Sequence, residues 1–263
     1  MLLNDKVAVI YGAGGGVGGA IARTFAREGA KLFLAGRRRA SLDNVAADVT
    51  QAGGTADVAE VDAFDESSVE RHLAAIVGRA GRIDVLFNAI GIANTRVQGK
   101  PLTDLAVEDF LQPIAGYARG YFLTARLAAR QMIKKGSGVV MTATAVPSRA
   151  GIPLVGGFAP AEAAVEALTR SLSAELGPHG IRVVGLRADA MPETATIREV
   201  FSLHAQAHGM SWDQFHELIA SKNHRRRLPT LAELAEVAAF MASDRASAVT
   251  ATAVNLSIGM LDD

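Results

Sequence analysis

The sequence predicts an α/β fold: a single, doubly wound parallel sheet with helices on both faces. Short apolar runs alternate with stretches of helical periodicity along most of the 263 residues, which is the pattern of successive βαβ units. Two of the runs, VAVIY at 7–11 and VLFNAI at 85–90, are almost wholly apolar, as expected for strands buried on both faces. The first run leads directly into a glycine-rich turn (GAGGGVG), a strand–turn–helix junction that recurs in doubly wound sheets.

Strands and helices can be assigned in order along the chain. The predicted strands are residues 7–11, 31–35, 55–61, 83–88, 139–142, 181–186 and 253–256. The predicted helices are residues 16–27, 39–52, 67–79, 104–134, 159–176 and 231–242. Residues 191–227 interrupt the alternation with polar, helix-compatible sequence, and we predict a lid or substrate loop there. No shift in composition marks a second unit, so residues 1–263 are predicted to form one domain.

Composition and charge exclude several classes of function. Lys and Arg number 27 and Asp and Glu also number 27, so the net charge is zero and a nucleic-acid partner is not expected. Without cysteine, the chain has no disulfide, thiolate metal ligand or cysteine nucleophile. The N-terminal MLLND lacks the features of a signal peptide, and no apolar run approaches the ~18 residues of a membrane span. We therefore expect a soluble, cytoplasmic protein that binds no membrane.

The turn after the first strand carries Gly12, Gly14, Gly16 and Gly18, with Val17 near the start of the first helix. Glycine permits a tight turn, lets the backbone approach a diphosphate and allows the helix to pack closely on the sheet. The helix N-terminus offers unpaired N–H groups and a positive dipole end to an anion. A flexible loop is the alternative, but the position after the first strand favours a Rossmann-type dinucleotide site.

The second predicted strand ends in the sequence AGRRR at 35–39. NAD sites usually place an acidic residue here, against the 2′-hydroxyl of the adenine ribose, whereas arginine suits the 2′-phosphate of NADP. Arg37 and Arg38 therefore favour NADP over NAD as the cofactor. A solvated start to the second helix is the alternative, and for Arg39 it is the preferred interpretation.

The glycine spacing, Asp62 after the third strand and the sequence NAIG at 88–91 after the fourth resemble the short-chain dehydrogenase/reductase family. The resemblance covers nearly the whole chain, down to the ending ASDRASAVTATAVNLSIG. It implies that Asp62 contacts the adenine, and that Asn88 anchors the central strand beside the cofactor, with Gly91 close by. The family's Asn-Asn-Ala-Gly is matched only in part.

The catalytic half of the chain departs from that family. The resemblance implies a tyrosine as general acid or base, a lysine that lowers its pKa and binds ribose, a serine that orients the carbonyl, and an asparagine that holds a water relay. The matching positions here are Phe158, Glu162, Thr144 and Tyr117, in that order. Phenylalanine has no proton to donate, and a carboxylate raises the pKa of a neighbouring phenol. Only Thr144 keeps a hydroxyl donor of the expected kind.

The departures lie on the nicotinamide side of the expected cleft. The family's Pro-Gly after the sixth strand is replaced by Ala188-Asp189, while the adenine and diphosphate side is mostly kept. The sequence therefore predicts a protein that binds NADP(H) but has lost the standard tyrosine–lysine carbonyl chemistry. Such a protein serves as a binding, regulatory or assembly component.

Two other functions stay open at this point. The first is an NADP-dependent oxidoreductase that uses Tyr117, Thr144 or Glu162 as a non-standard acid, and the second is a non-redox cyclase or isomerase in the same cleft. Against the first, Tyr117 can simply fill space as a buried aromatic, and Glu162 can pair with an arginine such as Arg149. The sequence identifies no substrate beyond a small molecule.

The predicted lid carries His204 and His208, four residues apart, with Asp213 and His216 beyond them. This spacing can place two metal ligands on one helix face, but an exposed polar helix explains it too, and we predict no metal site. The basic run KNHRRR at 222–227 is interpreted as a solvated segment. The resemblance, with small apolar residues on the helix at 159–176 and on the last strand, implies a homo-oligomer, a tetramer or a dimer.

Overall fold

The computed structural model describes residues 1–93 and 95–262. Its strands are β1 (Val7–Tyr11), β2 (Lys31–Gly36), β3 (Thr55–Glu60), β4 (Val85–Asn88), β5 (Gly138–Ala145), β6 (Ile181–Ala188) and β7 (Thr252–Leu256). Its helices are α1 (Gly16–Arg27), α2 (Arg39–Gln51), α3 (Glu66–Ala80), α4 (Val107–Lys135), α5 (Phe158–Leu176), α6 (Ala195–Ala207), α7 (Trp212–Lys222) and α8 (Leu231–Ala242). The strands pair in parallel in the order β3-β2-β1-β4-β5-β6-β7. The predicted doubly wound parallel sheet is confirmed; positions 94 and 263 of the predicted domain lie outside the described residues.

Apolar side chains bury both faces of the sheet. On one face, α1, α2 and α8 pack around Ile10, Phe25 and Phe87, and the rings of Phe25 and Phe87 meet edge to face at 6.3 Å. On the other face, α3, α4 and α5 cover Val9 and Leu86. Because successive residues of a strand point to opposite faces, a strand buried between two helix layers must be apolar throughout, and this explains the apolar runs of the sequence.

The two strands beside the candidate catalytic positions are longer than predicted. β5 and β6 pair in register from Gly138 with Ile181 to Ala145 with Ala188, beyond the predicted strands at 139–142 and 181–186. Polar residues, Thr144 and Arg187 among them, interrupt the apolar runs near these ends. Both side chains are buried and bonded to polar partners, so the strands continue past the point where the apolar pattern stops.

α4 is the longest helix of the described chain, with 29 residues. It starts later than predicted, because Leu102–Asp104 forms a separate 3₁₀ turn. Acidic residues in its first turn and lysines in its last complement the helix dipole, and Gly136 ends it with a positive φ of 75°. Among the residues that the structure describes, no helix has the length and apolar character needed to cross a membrane.

The carboxyl ends of the strands meet along one edge of the sheet. The chain winds from β1 outwards to β3 in one direction and from β4 outwards to β7 in the other. Gly12 follows β1 directly, and Asn88 ends β4 beside Tyr11 of β1. Doubly wound sheets bind ligands in the crevice at such a reversal of strand order. The elements predicted to hold a cofactor therefore converge at this crevice.

Residues 191–227, where the sequence predicts a lid or substrate loop, contain two helices, α6 and α7. The two helices share a small apolar core made by Phe201, Ala205, Phe215, Ala220 and Leu228. Thr194 caps α6, and Ser211 with Gln214 forms a capping box on α7. The indole of Trp212 donates to the carbonyl of Arg198 at 3.3 Å, which ties the two helices together. The segment is thus an ordered helical insertion with its own packing.

Candidate functional site

The glycine turn is shaped by close backbone contacts. Gly12 has a φ of +78°, and a Cβ added there would lie 2.2 Å from the carbonyl oxygen of Ala89. A Cβ at Gly18 would lie 2.4 Å from the carbonyl oxygen of Gly12, and one at Gly14 would lie 2.8 Å from the Cβ of Ser41. Side chains at Gly12 and Gly18 would push α1 away from the ends of β1 and β4, and one at Gly14 would collide with α2. Glycine is therefore required for α1 to start where it does.

The N-terminus of α1 is open. The helix starts at Gly16, its N-cap is Gly15, and no side chain caps it. Gly15 and Gly16 are exposed and Val17 is half-buried. By contrast, α6, α7 and α8 each have a Ser or Thr side chain on their first N–H groups. The free N–H groups and the positive end of the dipole suit a diphosphate, so these residues fit the dinucleotide that the sequence predicts.

The helical insertion reaches this turn. A Cβ at Gly16 would lie 2.8 Å from Cγ2 of Thr194, which caps α6. The neighbouring Glu193 accepts the backbone N–H of Leu231, the first residue of α8, at 2.7 Å. The insertion therefore borders the candidate diphosphate site.

The candidate adenine side is exposed. Arg37 and Arg38 are both exposed, and neither forms an ion pair within the part of the chain that the structure describes. Arg39 pairs with Asp43 at 2.8 Å along the surface of α2, in line with its interpretation as a solvated helix residue. Asp62 is also exposed, and its Oδ1 accepts the N–H of Phe64 at 3.0 Å.

Asn88 is buried in the middle of the sheet edge. Its amide donates to the hydroxyl of Thr124 at 2.8 Å, and its Oδ1 accepts the N–H of Ile90 at 3.0 Å. Its carbonyl accepts the hydroxyl of Thr142 at 3.3 Å. These bonds join β4, α4 and β5, and they shape the loop that leads to Gly91, where an added Cβ would meet nothing within 4 Å.

Two aromatic rings, those of Phe158 and Tyr117, lie where the family resemblance places the catalytic tyrosine and the asparagine of the water relay. Phe158 is the first residue of α5, and its ring meets the ring of Tyr117 from α4 edge to face, 5.9 Å between centroids. Both are half-buried. The hydroxyl of Tyr117 accepts the N–H of Ile92 at 3.5 Å. Burial, and next the charge of Glu162, raise the pKa of the Tyr117 phenol well above its ordinary value, so the phenol keeps its proton.

Glu162 lies one helical turn after Phe158 and is only 3% exposed. Its Oε2 accepts the backbone N–H of Ala145 at 3.0 Å. Burial raises the pKa of this carboxyl to about 8, the N–H of Ala145 opposes the rise, and the charge of Glu166 adds to it. At neutral pH the carboxyl of Glu162 is therefore mostly protonated.

A buried polar network lies next to these positions and was not predicted from the sequence. Arg187 of β6 pairs with both carboxylate oxygens of Glu166 of α5, Nε to Oε1 at 2.7 Å and Nη2 to Oε2 at 2.8 Å. The hydroxyls of Thr144 and Ser148 donate to Oε1 at 3.0 and 2.6 Å. Burial opposes the charge of Glu166, yet the bonds from Arg187 and Ser148 hold its pKa below its ordinary value.

The network changes what Thr144 can do. The sequence left it as the one residue with a usable hydroxyl donor, but in the structure its proton points to Glu166. A hydroxyl has one proton. Thr144 can therefore accept a hydrogen bond from a ligand in the crevice at the carboxyl ends of the strands, but it cannot donate one. Two sequence signals accompany the network: an arginine directly after a predicted apolar strand, and a second glutamate one turn after Glu162.

The histidines of the insertion are used in packing. His204 is buried, and its Nε2 lies 2.8 Å from Oε1 of Gln98, so the interpretation of this helix as exposed is wrong at that position. The ring of His208 stacks on Phe215 at 5.9 Å, and the ring of His216 stacks on Trp212 at 5.2 Å. Within residues 1–93 and 95–262, no three His, Cys, Asp or Glu side chains are grouped to hold a metal.

Comparison with known proteins identifies the family. A sequence profile described as enoyl-(acyl carrier protein) reductase matches residues 12–260. Levodione reductase from Leifsonia aquatica is 32% identical over 257 residues, which are 97% of this chain and 94% of that protein. The chain therefore belongs to the short-chain dehydrogenase/reductase family, and the resemblance drawn from the sequence is confirmed.

Solved structures of related enzymes superpose along the whole chain. NAD⁺-bound xylitol dehydrogenase has a TM-score of 0.91 at 26% identity, with 98% of this chain and 99% of that chain covered. Gluconate 5-dehydrogenase from Burkholderia cenocepacia J2315, in complex with NADP and tartrate, has a TM-score of 0.84 at 25% identity, with 98% and 96% covered. Relatives of this fold thus bind either nicotinamide dinucleotide.

The raised pKa of Glu162 predicts how stability changes with pH. The pKa of Glu162 in the folded protein, about 8, is above the ordinary value of 4.5, so the folded state binds the proton more tightly than the unfolded state does. This proton contributes its full stabilisation of the fold below pH ~4, and the contribution is lost as the pH rises through ~8. Glu162→Gln keeps an acceptor for the Ala145 N–H without this titration. We expect the variant to unfold with nearly unchanged free energy at pH 5, and to be more stable by about 3–5 kcal/mol at pH 9.

Urea unfolding at both pH values measures the effect. Glu175→Gln, which changes an exposed glutamate of the same helix, is the matched control and should alter neither value. An equal effect of Glu162→Gln at pH 5 and pH 9 would show that Glu162 titrates like an exposed carboxyl.

Proposed function

We propose that this member of the short-chain dehydrogenase/reductase family binds NADP(H) and does not carry out tyrosine–lysine carbonyl reduction, so that it acts as a binding, regulatory or assembly component. One observation carries the proposal. The glycine turn and the open N-terminus of α1 are intact, whereas Phe158 and Glu162 stand where the general acid and its lysine are expected.

Loss of the acid has a large effect on rate. Removing a positioned general acid or base costs on the order of 10²–10⁴ in rate. Thr144 does not compensate, because its proton is bonded to Glu166. Bound NADP(H) would supply a hydride donor or acceptor, but a carbonyl oxygen that gains negative charge would meet no donor from Phe158 or Thr144.

Arginine at the end of β2 supports NADP as the dinucleotide. Arg37 and Arg38 carry exposed guanidinium groups next to the start of α2, and no acidic residue lies at that strand end. Guanidinium groups bind phosphate through paired, charge-assisted hydrogen bonds. We accordingly propose Gly12, Gly14, Gly16, Val17 and Gly18 for the diphosphate, and Asp62, Asn88 and Gly91 around the adenine and nicotinamide ribose.

A second function is favoured by the protonation of Glu162. A carboxyl with a pKa of about 8 holds a proton at neutral pH and can donate it, as a general acid must. Its position beside Tyr117 supports an NADP-dependent oxidoreductase with a relocated acid. We rank this second, because among the described residues no cation acts on Glu162 or Tyr117 to stabilise the anion left after proton transfer.

The exposed face of α4 supports a homo-oligomer in the cytoplasm, a tetramer or a dimer. Leu111, Phe122 and Ile133 are exposed by 49%, 45% and 38%. They are spaced by eleven residues, or about three turns, so they lie on one face of α4, where Arg126 also contacts the ring of Phe122. Exposed apolar side chains on one face favour contact with another chain, and a two-fold axis would pair this face with its own copy.

The cofactor preference can be measured by calorimetric titration. We expect NADPH to bind more tightly than NADH, and Arg37→Ala or Arg38→Ala to weaken NADPH roughly 10- to 100-fold while NADH changes little, since each removes a charge-assisted bond. Arg39→Ala is the matched control, because Arg39 pairs with Asp43. Equal affinities in the unmodified protein would remove the case for NADP, and failure to bind either dinucleotide would contradict the proposed function.

Carbonyl reduction should be near background in the unmodified protein. Phe158→Tyr alone restores a phenol, but the neighbouring Glu162 carboxyl does not lower its pKa. Glu162→Lys alone restores the cation, but Phe158 leaves no phenol whose pKa the cation could lower. We expect only the double variant to gain NADPH-dependent turnover on a panel of ketones, followed by NADPH absorbance. Substantial turnover by the unmodified protein would contradict the proposal that catalysis is lost. In that case the variant that loses activity, Tyr117→Phe or Glu162→Gln, would identify the residue that acts as the acid.

Sedimentation tests the assembly. We expect a species of four times, or twice, the 27.5 kDa of one chain at micromolar concentration, and dissociation on Phe122→Asp because a charge in an apolar contact is costly. Leu218→Asp alters an equally exposed leucine on α7 and should leave the assembly intact. A monomer at micromolar concentration would rule the oligomer out.

A further inference from the structure

Two hydroxyl protons beside the candidate cleft are already used within the protein. Phe158 has no polar atom, and the hydroxyl protons of Thr144 and Ser148 are bonded to Glu166. Glu162 provides a carboxyl. The Tyr117 phenol and the protonated Glu162 carboxyl remain as donors, and Glu162 becomes a strong acceptor for a donating ligand once it loses its proton.

One oxygen of Glu162 receives no hydrogen bond from the residues that the structure describes. Oε2 accepts the N–H of Ala145 at 3.0 Å, whereas no described residue donates to Oε1, and no cation is among the groups that act on this carboxyl. The residue is 97% buried, since 3% of it is exposed. Oε1 is not one of the fully buried atoms that lack a partner, so it is open enough for a ligand in the cleft to donate to it.

Two aromatic rings stand beside this carboxyl. Phe158 lies four residues before Glu162, so the two share one face of α5. The ring of Tyr117 contacts Phe158 at 5.9 Å, and the charge of Glu162 acts on the Tyr117 phenol. Aromatic faces attract organic cations, and more strongly where water is excluded. A buried carboxyl flanked by two rings is the set of groups that recognises an ammonium ion.

We propose that the cleft binds a small organic molecule through an ammonium group, which pairs with Glu162 between the rings of Tyr117 and Phe158. The inference rests on the proposed function, because it names the ligand class for the same cleft. It does not require the dinucleotide to be bound. Arg187 does not oppose such a ligand, because its charge is balanced by Glu166 at 2.7 and 2.8 Å.

Binding of an ammonium ion is coupled to release of a proton. Two titratable groups are coupled to Glu162, Tyr117 of α4 and Glu166 one turn further along α5, and the neighbouring cation, Arg187 of β6, is paired with Glu166. With a pKa of about 8, the empty cleft holds the Glu162 proton at pH 7. An incoming positive charge favours the carboxylate, so the proton leaves as the ligand enters.

Calorimetric titration with matched probes tests the proposal. The probes are n-butylammonium, cyclohexylammonium and benzylammonium chloride, each paired with the alcohol of the same shape, and the protein is used both free and saturated with NADPH. We expect at least one ammonium probe to bind. The alcohol of the same shape should bind at least roughly tenfold more weakly. Titrations at pH 7 in phosphate and in MOPS, neither of which is a primary ammonium ion, should differ in apparent enthalpy, because the buffer takes up the released proton.

Variants identify the residues involved. Glu162→Gln should weaken the ammonium probe roughly tenfold or more and remove the difference between buffers, whereas Phe158→Leu and Tyr117→Leu should each weaken it about threefold to tenfold. Glu175→Gln, exposed on the same helix, should change nothing. Thermal unfolding confirms that each variant is folded.

Three results would overturn the inference: an alcohol that binds as well as its ammonium partner, unchanged affinity in folded Glu162→Gln, or no binding by any ammonium probe. The NADPH titration is independent of these. Ammonium binding without NADPH binding would leave this inference standing while the proposed function fails.

Discussion

Arg187 and Glu166 form an ion pair that water scarcely reaches, with each residue only 3% exposed. Removing two charges from water costs several kcal/mol per ion, so such a pair persists only where hydrogen bonds complete it. Here the guanidinium meets both carboxylate oxygens, and Thr144 and Ser148 donate to one of them. The pair joins β5, β6 and α5 at the floor of the cleft, and it occupies the hydroxyl protons that a carbonyl substrate would need.

The proposed cofactor side of the cleft consists mainly of backbone groups. Gly12 and Gly18 let α1 begin against the ends of β1 and β4, and the N–H groups of α1 are left free. A site made of main-chain groups survives substitution as long as glycine remains where a Cβ would clash. Catalysis in this fold depends on side chains instead. Side-chain chemistry can therefore diverge while the dinucleotide site stays intact.

The sequence pattern predicted correctly those strands and helices whose bounds depend on neighbouring residues. The bounds of β1, α1 and α8 agree with the sequence prediction to the residue, because apolar periodicity and glycine position are properties of neighbouring residues. The ends of β5 and β6 were missed, since buried Thr144 and Arg187 resemble exposed residues until their distant partners are known. His204 was misjudged for the same reason, because its partner Gln98 lies 106 residues away.

Glu162 and Glu166 show how environment sets the role of a residue. They lie one turn apart on α5, yet Glu166 is held ionised by Arg187 and its neighbours, while burial raises the pKa of Glu162 to about 8. The same ionised Glu166 contributes to the rise at Glu162, because like charges disfavour each other. With Glu162 at the position proposed for the family's lysine, the cleft lacks a positive charge there and gains no permanent negative one at neutral pH. The phosphates of a dinucleotide would meet little repulsion from this residue, which is why a reversed residue type at this position is compatible with an intact cofactor site.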